Sequence, residues 1–143
     1  MHSAKDKPTF CALLVDPDVS FRQAVSDILF AYFPCIDVEE ACAGSEALIK
    51  VAYLRPNIIL MATPLSGEGG LVLAKEIKEI YDNTTIVMLT TNDLPEHVQQ
   101  TLKPSADYLI SKASNGFMKD ILARIEEAIG GRRSWPGRQP RLN

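Results

Sequence analysis

Short apolar runs and stretches of helical period alternate along this chain, with proline, glycine and asparagine punctuating the changes. The first run, residues 9–15 (TFCALLV), is short and rich in strand-forming types. Phe21, Val25, Ile28, Leu29 and Tyr32 follow at spacings of three, four and seven, which predicts a helix with one apolar stripe, halted by Pro34. Asp18 or Ser20 is placed to accept hydrogen bonds from the first amides of that helix. A second strand over 36–41 leads into a helix over 45–54 with Ala47, Leu48 and Val51 facing inward and Pro56 beyond its end. Residues 57–62 are nearly all apolar, as a central strand covered on both faces must be. Residues 70–81 carry Leu73, Ile77 and either Ile80 or Tyr81 on one side of a third helix. A strand over 85–90 precedes a polar helix around 95–102, where Pro95 suits the first helical position. A strand over 107–111 and a helix over 115–129, with Phe117, Ile121, Ile125 and Ala128 on one stripe, end at Gly130 and Gly131.

Five strand–helix units in succession predict an α/β fold: a doubly wound, five-stranded parallel sheet with five helices on its two faces. Ligands of such sheets bind beyond the carboxyl ends of the strands, where strand order reverses. Asp16, Pro17 and Asp18 follow the first strand, Ala62 and Thr63 the third, Thr90 and Thr91 the fourth, and Lys112 the fifth. The glycines of the loop at 63–69 have neither the spacing nor the Lys-Ser/Thr ending of a phosphate-binding loop, so they are read as turn formers.

At 143 residues, 46% of them hydrophobic, the chain suits one domain over residues 9–129, with an extension at 1–8 and a tail or linker stub at 130–143. No apolar run approaches the roughly 20 residues of a membrane helix, and residues 1–8 lack the pattern of a signal peptide, so a cytoplasmic location is expected. Three cysteines without a paired spacing are expected to be reduced and mostly packed. The four arginines of the tail face no acid, so residues 1–129 are more acidic than the whole chain's −3. That balance argues against nucleic-acid binding by the domain itself, which needs clustered Lys and Arg.

The segments LLVDPD, AGSEAL, RPNIILMATPLSGEGGLVLAKEI, VMLTT and ADYLISK, in this order, resemble the receiver domains of two-component response regulators across residues 10–129. The resemblance implies a phosphorelay domain in which an acidic pair ends the first strand and a phosphate-accepting Asp ends the third. A Thr or Ser ends the fourth strand and a Lys ends the fifth. The accepting carboxylate is a nucleophile toward a phosphorylated histidine, and a divalent cation neutralises the charge that develops. Asp16, Thr90 and Lys112 match that pattern, but Pro17 stands in the second acid's place and Ala62 in the acceptor's. Leu109 stands where the family carries an aromatic switch residue, with Tyr108 expected on the opposite face of the strand. Ala113 replaces a customary cis-proline, so a trans bond is expected.

With no Asp or Glu between Glu46 and Glu68, shifting the alignment restores no acceptor. Asp18 is read as a helix cap before a substitute acid, and Lys112 as the ion-pair partner of Asp16. One carboxylate makes a poor magnesium site, so no cofactor and no catalytic residue are expected. His2 and His97 are read as solvated surface, and Thr63 has no neighbouring base to activate it. The leading expectation is a pseudo-receiver that is not an enzyme. It acts by contact with a histidine kinase, another response regulator or an output domain, or as a homodimer, through the face of the fourth and fifth helices and fifth strand. One alternative is a phosphorelay receiver with an unorthodox acceptor, or one competing for a kinase. Another is a flavodoxin-like domain that binds a small ligand at the strand ends.

Overall fold

The computed structural model describes residues 10–63, 70–91 and 106–131. The elements run β1 (Cys11–Val15), α1 (Val19–Tyr32), β2 (Asp37–Ala41), α2 (Gly44–Leu54), β3 (Ile58–Thr63), α3 (Gly70–Ile80), β4 (Thr85–Thr90), β5 (Tyr108–Ser111) and α4 (Phe117–Gly130). All five strands are parallel, in the order β2-β1-β3-β4-β5, so the strand order reverses between β1 and β3. This is the doubly wound parallel sheet that the alternation predicts, in the flavodoxin-like order implied by the resemblance to receiver domains, with four helices among the described residues. The helix expected around 95–102 lies outside them, as do residues 1–8, residues 64–69 and the tail beyond Gly131.

Side chains alternate across the sheet because successive residues of a strand point to opposite faces. Ala12, Leu14, Ile58, Leu60, Val87, Leu89 and Ile110 meet Val25 and Leu29 of α1 and Ile121, Ile125 and Ile129 of α4. Leu13, Val15, Ile59, Met61, Ile86 and Met88 meet Ala47 and Val51 of α2 and Leu73, Ala74 and Ile77 of α3. β1 is buried along its whole length, as a strand between two neighbours and two helix layers must be.

Asp18, not Ser20, caps α1: its carboxylate accepts from the amides of Ser20 and Phe21 at 3.0 and 3.2 Å. α2 has no such cap at Ala43. Instead Glu46 reaches back and accepts the Cys42 N–H at 2.9 Å. α2 ends with Arg55 in the left-handed region (φ 50°), its amide bonded to the Val51 carbonyl and its guanidinium 4.9 Å from the Tyr81 ring centre.

Three residues assigned to apolar stripes are exposed. Tyr32 is the last residue of α1. Leu48 flanks the α2 face centred on Ala47 and Val51, and Ile80 ends α3 while the alternative, Tyr81, packs against the core. The cysteines also correct the expectation, since only Cys11 is buried. Cys35 follows α1 and Cys42 follows β2, in turns off both core faces. Burial, with Glu39 and Asp37 adding repulsion, pushes the Cys11 thiol up to about 12.

Candidate functional site at the carboxyl ends of the strands

β1 delivers Asp16 into the interior one residue past its end. The residue is 1% exposed, its amide is bonded to the Ala41 carbonyl, and α1 begins only three residues later. Its Oδ1 accepts the Asp18 N–H at 2.9 Å, closing a tight turn with Pro17 exposed at the tip. Its Oδ2 accepts from Lys112 Nζ at 2.7 Å, which is the ion pair expected from the sequence. Lys112 follows β5, and its amide donates to the Thr90 carbonyl at 2.7 Å, so main-chain pairing with β4 fixes where its side chain starts.

Ala62 and Thr90 line up with this edge. Ala62 pairs with Leu89 and Thr63 with Thr90 in the β3–β4 register, and both Ala62 and Thr90 are buried. β3 and β4 lie between β1 and β5, so the Lys112–Asp16 bond passes over the ends of the strands that carry Ala62 and Thr90. Leu109 and Tyr108 face opposite ways as expected: Leu109 packs on the α2–α3 side and Tyr108 on the α1–α4 side. The Tyr108 hydroxyl bonds Glu127 Oε1 at 3.2 Å, and the Arg124 guanidinium stands 4.6 Å from its ring centre. Ala113 is exposed, and its amide donates to Ser111 Oγ at 3.1 Å.

Three side chains that pattern reading did not assign to the site shape it. Phe21 and Phe117 were legible only as stripe residues of their helices, yet their rings stack at 6.0 Å and Lys112 Nζ stands 3.9 Å from the Phe21 ring centre. Arg22 donates to the Asp16 carbonyl at 2.6 Å and pairs with Glu40 at 2.9 Å, tying the start of α1 to β2. Ser26 and Lys50 also bond Glu40, through its Oε2 at 3.2 Å and its carbonyl at 2.6 Å. Nothing in the local pattern marks these contacts, since most of them join different elements of the fold.

A doubly wound parallel sheet with an aspartate and a lysine joined across the carboxyl ends of its strands defines the class of this domain: flavodoxin-like, with its site at the switch point. The chain belongs to the response regulator receiver domain family, whose sequence profile matches residues 12–126. Among curated proteins it is 28% identical over 125 residues to a protein-glutamate methylesterase/protein-glutamine glutaminase of a Nocardioides species, covering 85% of this chain and 34% of that one. It is 27% identical over 123 residues to the response regulator protein VraR of Staphylococcus aureus, covering 86% and 58%. The chain thus spans from a third to somewhat over half the length of these relatives. Among solved structures it is similar to the chemotaxis response regulator CheY4 of Vibrio cholerae, with TM-score 0.72 and 28% identity over 85% of this chain and 99% of that one. A CheY-like receiver domain protein from Methanospirillum hungatei matches with TM-score 0.72 and 26% identity, covering 84% and 93%.

Receivers of this family use a divalent cation, which is held by oxygen ligands, chiefly carboxylates. Asp16 supplies one carboxylate, and both of its oxygens are engaged by Lys112 and the Asp18 amide. Ala62 offers a methyl group and Pro17 an exposed ring, so these residues do not fit the ion.

Proposed function

We propose that this receiver domain does not accept a phosphoryl group at the end of β3 and transmits its signal by protein contact. The carrying observation is Ala62, buried at 3% exposure on the strand between Asp16 and Thr90, where the chemistry of the family needs a carboxylate nucleophile. Asp16 is the only acid among the buried residues described, and it is already committed to Lys112. Leu109 in place of an aromatic ring removes the side chain that would report on Thr90, which agrees with the same reading.

Receiver domains interact with kinases or other proteins. For this one we assign a histidine kinase, another response regulator or an output domain as partner, or a second copy of the chain. The contact face we assign is that of β5, α4 and the helix expected around 95–102, which lies outside the described residues; α4 holds Tyr108 through Arg124 and Glu127. We read the domain as a signalling module and not an enzyme, working in the cytoplasm. No helix among the described residues is long and apolar enough to cross a membrane.

The test is intact-mass spectrometry after incubation with a small phosphodonor and magnesium, beside the Pro17→Asp, Ala62→Asp double variant. The native chain is expected to gain nothing and the variant one phosphoryl group. A phosphoryl group on the native chain overturns the proposal.

A further inference from the structure

We infer that Lys112 is the resident cation of this site and that Phe21, backed by Phe117, is the positioning residue that holds it on Asp16. The inference rests on the reading above that the site no longer handles phosphate.

The ammonium group is held from two sides, by Asp16 Oδ2 at 2.7 Å and by the face of the Phe21 ring at 3.9 Å. An aromatic face carries negative potential, and it attracts a cation more strongly where water is thinned out. The Lys112 side chain is 20% exposed and that of Asp16 1%, so this pair has little solvent to weaken it. The Phe21 ring is itself fixed, because Phe117 at the start of α4 stacks on it with 22° between the planes. Lys112, Phe21 and Phe117 thus join the end of β5 to the starts of α1 and α4.

The methyl group of Ala62 completes the device. Among the described residues, a lysine that passes the ends of β4 and β3 to reach β1 pairs with no carboxylate but that of Asp16. With the other oxygen of Asp16 accepting the Asp18 N–H, both oxygens of the one buried carboxylate among the described residues already have a partner. A leucine at 21 would fill similar space but offer no negative face, which separates positioning from packing.

The experiment follows hydrogen exchange of the Lys112 ammonium group by nitrogen-15 NMR of the full chain, the signal being assigned by its loss in Lys112→Arg. The native signal is expected to exchange slowly. Phe21→Leu should speed exchange about ten-fold, a factor within the range of a partly desolvated cation–aromatic contact. Phe21→Tyr, which keeps the face, should restore native exchange. If Phe21→Leu does not fold, Phe117→Leu is read instead, with faster exchange expected because Phe21 loses its backing. Native exchange rates in the leucine variant overturn the assignment and leave the phosphate reading untouched. Phosphorylation of the native chain would overturn that reading while the exchange rates still decide the role of Phe21.

Discussion

Two lysine–aspartate pairs stand at opposite ends of the same sheet and share little beyond their length. At the carboxyl end Lys112 meets Asp16 at 2.7 Å, and at the amino end Lys78 meets Asp107 at 2.8 Å. The Asp16 side chain is 1% exposed and that of Asp107 37%. Each carboxylate also accepts a main-chain N–H, from Asp18 and from Ile86, and Lys78 further donates to the Thr84 carbonyl. By distance the pairs look equivalent. Water ranks them: an exposed charge that loses its partner is rehydrated, whereas a buried one is stranded.

The largest effect is therefore expected from Lys112→Met, which leaves the Asp16 carboxylate buried and unpaired. Loss of one partner of a buried pair costs about 3–5 kcal/mol, to be read from denaturant midpoints at constant slope. Adding Asp16→Asn removes the stranded charge while keeping an oxygen for the Asp18 amide, so the double variant should be more stable than Lys112→Met alone. A double variant as unstable as the single one would mean that the pair is not what stabilises this edge.

At the other end, Lys78→Met should cost about 1 kcal/mol or less, because both side chains keep contact with water. That difference should shrink as salt rises, while the Lys112→Met difference should change little. Equal costs for the two variants, or equal salt dependence, would break the contrast between the ends.

How far these ends were legible differs as well. Central strands announce themselves by apolar continuity, so β4 is placed to the residue over 85–90, and β3, expected over 57–62, runs one residue later at each end. The Asp16–Lys112 pair followed from the family pattern once Ala62 offered the lysine nothing else. Phe21 was invisible as a site residue because a ring that covers an ammonium group and a ring that fills a core have the same spacing on a helix. Tyr32 and Leu48 failed for the opposite reason, and Tyr81 rather than Ile80 reached the core: periodicity tells which side of a helix is apolar, but only the neighbours decide how much of that side is covered. Glu46 as a substitute cap was likewise unmarked, since α2 starts after an alanine that cannot cap it.

Glu46 supplies the smallest expected effect and extends the contrast to an acid that water reaches freely. The Cys42 N–H donated to its carboxylate holds it below the ordinary value of 4.5, and Lys50 at 3.5 Å acts in the same direction. A carboxyl depressed in the fold contributes stability that is present above its unfolded value and lost as pH falls through its lower folded value. Glu46→Gln keeps an oxygen for the Cys42 amide but drops the negative charge at the start of α2, so about 0.5 kcal/mol should be lost at neutral pH. In thermal or denaturant unfolding, native and variant chains should stay apart down to about pH 4.5 and converge in more acid solution. A difference that stays constant through the acid range would assign the effect to the shape of the side chain and not to its charge. The half-exposed end of α2 would then no longer serve as the solvated counterpart of Asp16, whose buried charge is answered by Lys112.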